Sequence, residues 1–342
     1  MTFLRNTWYI AAWSDEIKAG ALFNRTILNE PIVFFRKQDG SIGAITDRCP
    51  HRFAPLHLGT LKDDCVQCPY HGLKFASNGS CVHNPHGDGA IPKAAHVKAY
   101  PAVERHLAIW VWLGAPALAD PNTIADYSFL SAAKPTARNT GYLYSKVSYQ
   151  LLADNIMDLS HVDFLHPTTL GGGALTRSTA QVSEIGNKVR ILWEAVNEVA
   201  PPGFAVHLPD PEGAADLWTD VVWSAPALMH LSSGITNNGR SFDDGVSTAN
   251  LHMMTPETEN STHYFFANTR SFLTEDEGFN KFVDKMLVDV FTTEDKPMVE
   301  AQQEQMDGKT LWELKPILLP GDAGAVRVRR VLERMIREES GK

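Results

Sequence analysis

The stretch CVQCPYHG, residues 65–72, decides how this chain is read. Cys65 and Cys68 form a C-x-x-C pair, the spacing of a zinc ribbon or a thiol redox site. Cys68 and His71 form a C-x-x-H pair, which implies mixed sulfur and nitrogen ligation. A tetrahedral zinc on Cys65 and Cys68 needs two more ligands, normally another close pair. The cysteines stand only at 49, 65, 68 and 81, so there is no second C-x-x-C. A thioredoxin-type motif needs a βαβ context, whereas the flanking segments read as short strands and Gly/Pro turns. Upstream lies Cys49-Pro50-His51, which completes the pattern C-x-H, sixteen residues, C-x-x-H. Two Cys and two His on two loops match a Rieske [2Fe–2S] cluster, with thiolates Cys49 and Cys68 on one iron and imidazoles His51 and His71 on the other. A Cys₂His₂ zinc site is the alternative. Cys65 and Cys81 then read as small buried hydrophobes with free thiols.

The chain of 342 residues is long enough for two domains. With 44% hydrophobic and 21% charged residues the composition is that of an ordinary soluble protein. A net charge of −9 argues against nucleic acid as a partner. No apolar run approaches a membrane span, and MTFLRNTWYIAAW at the N-terminus has no cleavage-site pattern. The sparse cysteines form no disulfide framework, so a cytoplasmic setting is expected.

Residues 1–115 read as all-β. PIVFFRK (31–37) and SIGAITD (41–47) flank a hairpin-like turn at Gln38-Asp39-Gly40. Residues 96–114 supply two more strand-like runs, broken at Val103-Glu104-Arg105. The proline-punctuated segment 116–126 reads as a linker to a domain over 127–342. There SYQLLADNIMDLSHVDFLH (148–166) is helical in character, and residues 247–272 read as a long hairpin turning at 256–260. TEDEGFNKFVDKMLVDVFTTED (274–295) carries a helical stripe of Phe279, Phe282, Val283, Met286, Leu287, Val290 and Phe291. The fold class expected is α+β.

A Rieske cluster carries one electron and leaves the chemistry to another centre. The expected site for O₂-activating Fe(II) is a facial triad of two histidines and a carboxylate. His161 and His166 in LSHVDFLH are the outstanding pair, with two structural histidines as the plain alternative. At i,i+5 they lie about 140° apart on a regular helix. They share a metal only if the helix ends, or widens into a π turn, between them. Asn155, Asp158 and His161 lie along roughly one helix face. Asp158 is placed to accept the second N–H of His161. Asp154 and Asp163 read as surface residues. Adding four to Phe291 carries the apolar stripe to Asp295, and a carboxylate there must be paired, protonated or bound to metal. Glu294 points about 100° away and Glu300 falls off that face. Pro297 is expected to kink the helix nearby.

CPHRFAPLHLG (49–59) and CPYHGLKF (68–75) resemble the Rieske loops of the non-haem iron aromatic-ring oxygenases. The likeness covers nearly the whole chain and is nearest to the O-demethylases acting on vanillate and dicamba. It implies an N-terminal all-β Rieske domain, then a catalytic domain whose central antiparallel sheet is gripped by helices. NIMDLSHVDFLH and EDKPMVEAQQ (294–303) resemble the family's iron-binding segments. Mononuclear Fe(II) on His161, His166 and Asp295 is therefore implied. So is electron transfer from cluster to iron through Asp158, across a subunit boundary in a homotrimer. His252 matches a histidine that binds the substrate's carboxylate, His230 falls where a relative has an Asn, and Met286 where that relative has a Trp. The activity implied is O-demethylation of a methoxy-aromatic acid, with electrons from NAD(P)H through a separate ferredoxin or flavin/iron–sulfur reductase. Ring dihydroxylation, N-demethylation and oxidation of another methyl, as in toluenesulfonate, are the alternatives within the family. A Rieske electron carrier is the alternative outside catalysis.

Overall fold

The structure, a computed structural model, describes residues 3–341 apart from 168, 170–173, 179 and 201. It divides into two compact units, Met1–Tyr127 and Ser128–Lys342.

The first unit is built from short antiparallel strands. β1 (Trp8–Trp13), β2 (Leu22–Ile27), β3 (Glu30–Arg36) and β4 (Ile42–Thr46) precede β5 (Thr60–Lys62), β6 (Cys65–Gln67), β7 (Lys74–Ala76) and β8 (Cys81–His83). β9 (Ala102–Arg105) and β10 (Ala108–Trp112) complete it. They form three sheets, ordered β1-β10-β9, β2-β3-β4 and β5-β6-β7-β8. WYIAAW of β1 and AIWVW of β10 are buried at every position, which explains why neither alternates. β3 and β4 pair around Gly40, as expected.

The break in the 96–114 region lies elsewhere than expected. Val103-Glu104-Arg105 belongs to β9, and the chain reverses at His106-Leu107, both with positive φ. Leu28-Asn29 and Asp63-Asp64 make the same two-residue turn between β2 and β3 and between β5 and β6. Two consecutive left-handed residues are the type I′ geometry that suits strand twist. None of the three turns uses glycine, so the usual signal is missing from the sequence. Residues 116–126 form two short 3₁₀ turns rather than a loose tether. Arg105 donates to the Pro121 carbonyl and the Trp8 indole to that of Asp120, fastening this segment to the first unit.

The second unit holds β11 (Arg138–Ser145), β12 (Gln181–Ile185), β13 (Lys188–Glu198), β14 (Ala215–Ser224), β15 (Leu228–Asn237), β16 (Val246–Thr258) and β17 (Ser261–Arg270). They make one antiparallel sheet, ordered β11-β17-β16-β15-β14-β13-β12. Its helices are α1 (Ser128–Ala132), α2 (Tyr149–Met157), α3 (Val162–Leu165), α4 (Ala174–Arg177), α5 (Pro202–Ala205), α6 (Glu277–Val290), α7 (Lys296–Gln305), α8 (Leu311–Leu314) and α9 (Ala323–Glu339). α2, α6 and α9 pack on β16, β11 and β13 respectively. β16 and β17 form the long hairpin expected, turning at residues 259–260.

Two details seat the helices. A Cβ on Gly324 of α9 would lie 1.8 Å from the Ile191 Cδ1 of β13. Asp154 of α2, expected on the surface, instead pairs with Arg329 of α9, whose Nε lies 2.9 Å and 3.0 Å from the two carboxylate oxygens. Asp163 accepts from the Thr176 amide at 2.8 Å, holding α4 beside α3. The stripe on α6 also differs at one place. Val283, Leu287 and Val290 are buried, but Phe282 is 59% exposed and leans on Phe279.

Candidate metal centres and the substrate face

In the first unit the two candidate cluster loops repeat one backbone design. The Cys49 amide donates to the Ala54 carbonyl, and the Phe53 amide to the Cys49 carbonyl. The Cys68 amide donates to Leu73 and the Gly72 amide to Cys68, five and four residues on as before. Phe53 and Gly72, the fourth residue after each cysteine, both have positive φ, 60° and 73°. Each loop therefore wraps its cysteine and lifts the histidine two or three residues later to the tip.

Cys49 and Cys68 are both 1% exposed, whereas His51 is exposed and His71 half-buried, with the two rings 4.5 Å apart. Burial pushes the Cys49 thiol up to about 11, with the adjacent Cys68 adding to it. Two buried neighbouring thiols become thiolates only when a metal supplies the opposite charge. The donor set thus fits a cluster with an inner sulfur end and an outer imidazole end. Cys65 pairs across to Ala76 and Cys81 joins the apolar cluster behind the loops, and neither cysteine is in a disulfide. Cys65 is only half-buried.

In the second unit the chain itself explains how His161 and His166 meet. Ser148 caps the start of α2, and the helix stops at Asp158, whose φ of −130° and ψ of 89° leave the helical region. A single 3₁₀ turn, Leu159–His161, then leads into α3, which ends at His166 with φ −117° and ψ 42°. The break expected between the two histidines is not there: a helical turn joins them, with His161 closing the 3₁₀ turn and His166 leaving the helical region as the C-cap of α3, and the π turn expected between them is absent. Their rings are 5.4 Å apart.

The π turn lies on the other partner. Phe291–Asp295 forms one between α6 and α7, with Pro297 in the first turn of α7. Proline lacks the N–H that would reach back four residues, and the wide turn takes up that defect where a kink was expected. Asp295 is turned inward and 7% exposed. His166 Nε2 lies 3.2 Å and His161 Nε2 3.6 Å from its Oδ1. One ligand atom from each of the three lies within 4.8 Å of the others. Burial raises the Asp295 carboxyl, yet the two histidines, when each carries a proton on Nε2, outweigh it and hold it far below the usual carboxylate range.

Two partners set the tautomers. His161 Nδ1 donates to the backbone carbonyl of Asp158 at 2.5 Å. His166 Nδ1 donates to Glu294 Oε2, also at 2.5 Å, and the Thr169 hydroxyl donates to the same oxygen at 3.0 Å. With both Nδ1 atoms donating, both Nε2 lone pairs face Asp295. Two lone pairs and a buried carboxylate repel unless a cation sits among them, so the donors fit a facial-triad metal. Asn155 Nδ2 donates to Asp295 Oδ1 at 3.2 Å and lies 3.4 Å from His161 Nε2.

Two sequence expectations change here. The Asp158 carboxylate does not receive the His161 N–H; it accepts from the Ser160 amide at 3.0 Å, and its carbonyl does the other task. Glu294, which a regular helix turns away from the site, grips His166 on the ring edge opposite Asp295. Consecutive carboxylates on a π turn thus hold both nitrogens of one imidazole. The adjacent Glu-Asp pair was the only hint in the sequence.

The space beside Asp295 is walled by Leu143, Leu152, Ile156, Met254, Tyr264 and Phe291. His252 stands on the same sheet face, 5% exposed, with its ring 5.7 Å from Phe291 and Nδ1 2.6 Å from the Tyr264 hydroxyl. Burial pulls this histidine down to about 4, so it is neutral near pH 7.

His230 does not join it. Met229 is the β15 residue paired with His252, and His230 pairs with Leu251. A one-residue offset in a strand reverses the face, so His230 points to the other side of the sheet, where its ring stacks 4.9 Å from Phe129. Leu231 and Met229 occupy the His252 side instead. Met286 of α6 is half-buried.

Comparison with known proteins gives this geometry its context. Residues 7–101 match the Rieske [2Fe-2S] domain. Residues 145–338 match the vanillate O-demethylase oxygenase C-terminal domain. The chain belongs to the vanillate O-demethylase type of Rieske oxygenase. It is thus an enzyme, the oxygenase component of an aromatic monooxygenase system. It is 40% identical to the oxygenase component of chloroacetanilide N-alkylformylase from Rhizorhabdus wittichii, over 98% of this chain and 97% of that one. The toluene-4-sulfonate monooxygenase iron–sulfur subunit TsaM1 of Comamonas testosteroni is 36% identical, over 99% of each chain. The crystal structure of dicamba monooxygenase bound to dicamba superposes with a TM-score of 0.91 at 35% identity, covering 100% of both chains.

Proposed function

We propose that this oxygenase hydroxylates a methyl group carried on a heteroatom of a small aromatic substrate, in the first instance the methoxy group of an aromatic acid. The observation that carries the reading is the convergence of His161 Nε2, His166 Nε2 and Asp295 at the end of the apolar face bearing His252. Cys49, His51, Cys68 and His71 hold the [2Fe–2S] cluster, and His161, His166 and Asp295 hold mononuclear Fe(II), which supplies O₂ activation when bound. NAD(P)H provides the electrons through a separate ferredoxin or flavin/iron–sulfur reductase. The methoxy group, O₂, two electrons and two protons give a hydroxymethyl ether and water. The ether, a hemiacetal, then collapses to a phenol and formaldehyde.

The chain's own residues orient and exclude. The Asp158 carbonyl and Glu294 hold the imidazoles in one tautomer, which keeps the ligand nitrogens aimed and basic. Asn155 steadies Asp295. Phe291, Tyr264, Leu143 and Met254 keep water from the reacting carbon. His252, neutral and braced by Tyr264, offers the substrate a hydrogen bond from the side of the sheet. Assembly as a homotrimer, with Asp158 of one copy passing the electron from a neighbour's cluster, belongs to the same proposal.

A second reading follows from the face taken by His230. With Met229 and Leu231 on the His252 side, the polar grip on a carboxylate is weaker, which favours a neutral N-alkyl anilide. The test is formaldehyde release from methoxybenzoates and from N-methoxymethyl anilides, with NADH and a surrogate reductase. Release from methoxybenzoates supports the first reading and release from anilides alone the second. Release from neither overturns both.

A further inference from the structure

Strand alternation brings one buried hydroxyl to the iron site that the proposed chemistry leaves unused. Side chains along a strand share a face every second residue, so Ser145 of β11 lies on the face of Leu143, which pairs across to Tyr264. Ser145 is 1% exposed, and its Oγ has no hydrogen-bond partner among the described residues. A buried hydroxyl left unsatisfied costs stability and calls for a partner. Ser145 lines the small cavity beside Asp295, where Tyr264, Asn155 and Lys296 are the other polar walls. This cavity leaves about 10 Å³ for the centre of a water-sized sphere. A buried water needs roughly 10–15 Å³ by that measure, with two to four polar partners. The space therefore suits one water and is far too small for an aromatic ring.

The polar walls complement one another. The polar contacts of Asp295 fall on Oδ1, with Asn155 Nδ2 and His166 Nε2 each at 3.2 Å and His161 Nε2 at 3.6 Å, which leaves Oδ2 as an acceptor. With His252 offering its Nε2–H to substrate, the Tyr264 hydroxyl donates to His252 Nδ1 at 2.6 Å, and its oxygen still accepts. The Lys296 ammonium is 3.9 Å from Glu300. The Ser145 O–H is the donor that remains. We propose that Ser145 is a positioning residue that holds one water, which accepts from its O–H and donates to the Tyr264 hydroxyl and to Asp295 Oδ2. Three hydrogen bonds are usual for a buried water. The water fixes Oδ2, so that Asp295 offers a metal Oδ1 alone, and through Tyr264 it ties that ligand to His252. Hydrogen bonds of this kind orient ligand carboxylates. One water fixed on three sides is not mobile solvent, so the reacting carbon stays dry. The inference rests on the reading that Asp295 holds the mononuclear iron.

The experiment uses the full chain with its cluster intact and oxidised, its mononuclear site stripped of iron and titrated with Co(II) as a stand-in for Fe(II). Ser145→Thr keeps the hydroxyl and Ser145→Val has the same shape without it, so the difference between them isolates the O–H. Calorimetry should show Co(II) bound about 10–100-fold more weakly by Ser145→Val than by Ser145→Thr, as loss of an outer-shell partner does. The oxidised cluster is silent in EPR. The high-spin Co(II) signal should change shape in Ser145→Val alone, as Asp295 turns to bind through both oxygens. High-resolution crystal structures should place a water between Ser145, Tyr264 and Asp295 in wild type and none in Ser145→Val. Absence of that water from wild type overturns the inference, and this test stands even where a variant fails to fold. Equal Co(II) affinity and signal in the two variants overturns the inference alone. Failure of wild type to bind Co(II) overturns the iron-site reading and the inference with it.

Discussion

At the scale of single residues, His166 is the best-determined ligand candidate, since Glu294 and Asp295 take its two nitrogens. Asp295→Ala should abolish mononuclear iron while leaving the cluster's two-iron EPR signal, measured alongside metal analysis. Glu294→Ala should lower Fe(II) affinity about 10–100-fold, as loss of an outer-shell partner does. Glu294→Gln, which keeps an acceptor oxygen, should restore part of it. Unchanged affinity in Glu294→Ala means the contact is only structural. His252 gives a pH prediction. It titrates near 4 when folded against about 6.5 in an unfolded chain. Between those values the unfolded state binds more protons, so stability falls as pH falls from 6.5 to 4. The full difference is about 3 kcal/mol, from about 1.4 kcal/mol per tenfold change in proton affinity. Thermal unfolding from pH 4 to 7 should show a shallower acid-side decline in His252→Gln than in wild type. Parallel profiles would exclude His252 as the source.

At the scale of elements, the segment 148–166 and the α6–α7 junction carry the triad, and both depart from regular helix. Residue spacing alone shows that His161 and His166 need such a departure, but not where it falls. α2 is docked by the Asp154–Arg329 pair, whose arginine is 6% exposed. Asp154→Ala should destabilise the second unit by about 3–5 kcal/mol, because Arg329 is left buried and nearly alone. The double change Asp154→Leu with Arg329→Met should recover most of that, read from the thermal midpoint. If Asp154→Ala costs less than about 1 kcal/mol, as exposed ion pairs do, the pair is not buried in solution. Elements without local signals were the hardest to read. The turn at His106-Leu107 has no glycine, and Phe282 continues the helical stripe yet faces solvent.

At the scale of the whole molecule, two metal centres must exchange an electron, and Asp158 is the proposed bridge. The Asp158 carboxylate caps Ser160 rather than binding His161. Asp158→Asn should therefore keep the cap, the cluster and most of the mononuclear iron. After dithionite reduction, its cluster should fail to reoxidise promptly when substrate and O₂ are mixed in, followed by stopped-flow absorbance. Recovery at the wild-type rate would send the electron by another route. Sedimentation of wild type should give the mass of three chains, and a monomer with full turnover would remove the need for a bridge between copies.

The sequence by itself determined the candidate cluster ligands, the histidine pair, Asp295 and the two-part α+β architecture. These rest on short-range spacing, C-x-H, C-x-x-H and a helical stripe, which survive any arrangement of the elements. Tertiary structure alone decided the rest. The face of His230 depends on strand register, where one residue reverses the side chain. The role of Glu294 depends on a π turn that rotates it toward a histidine 128 residues away. Asn139 meets Asn268 only because β11 pairs with the distant β17. Such contacts have no local periodicity, so no window of sequence contains them.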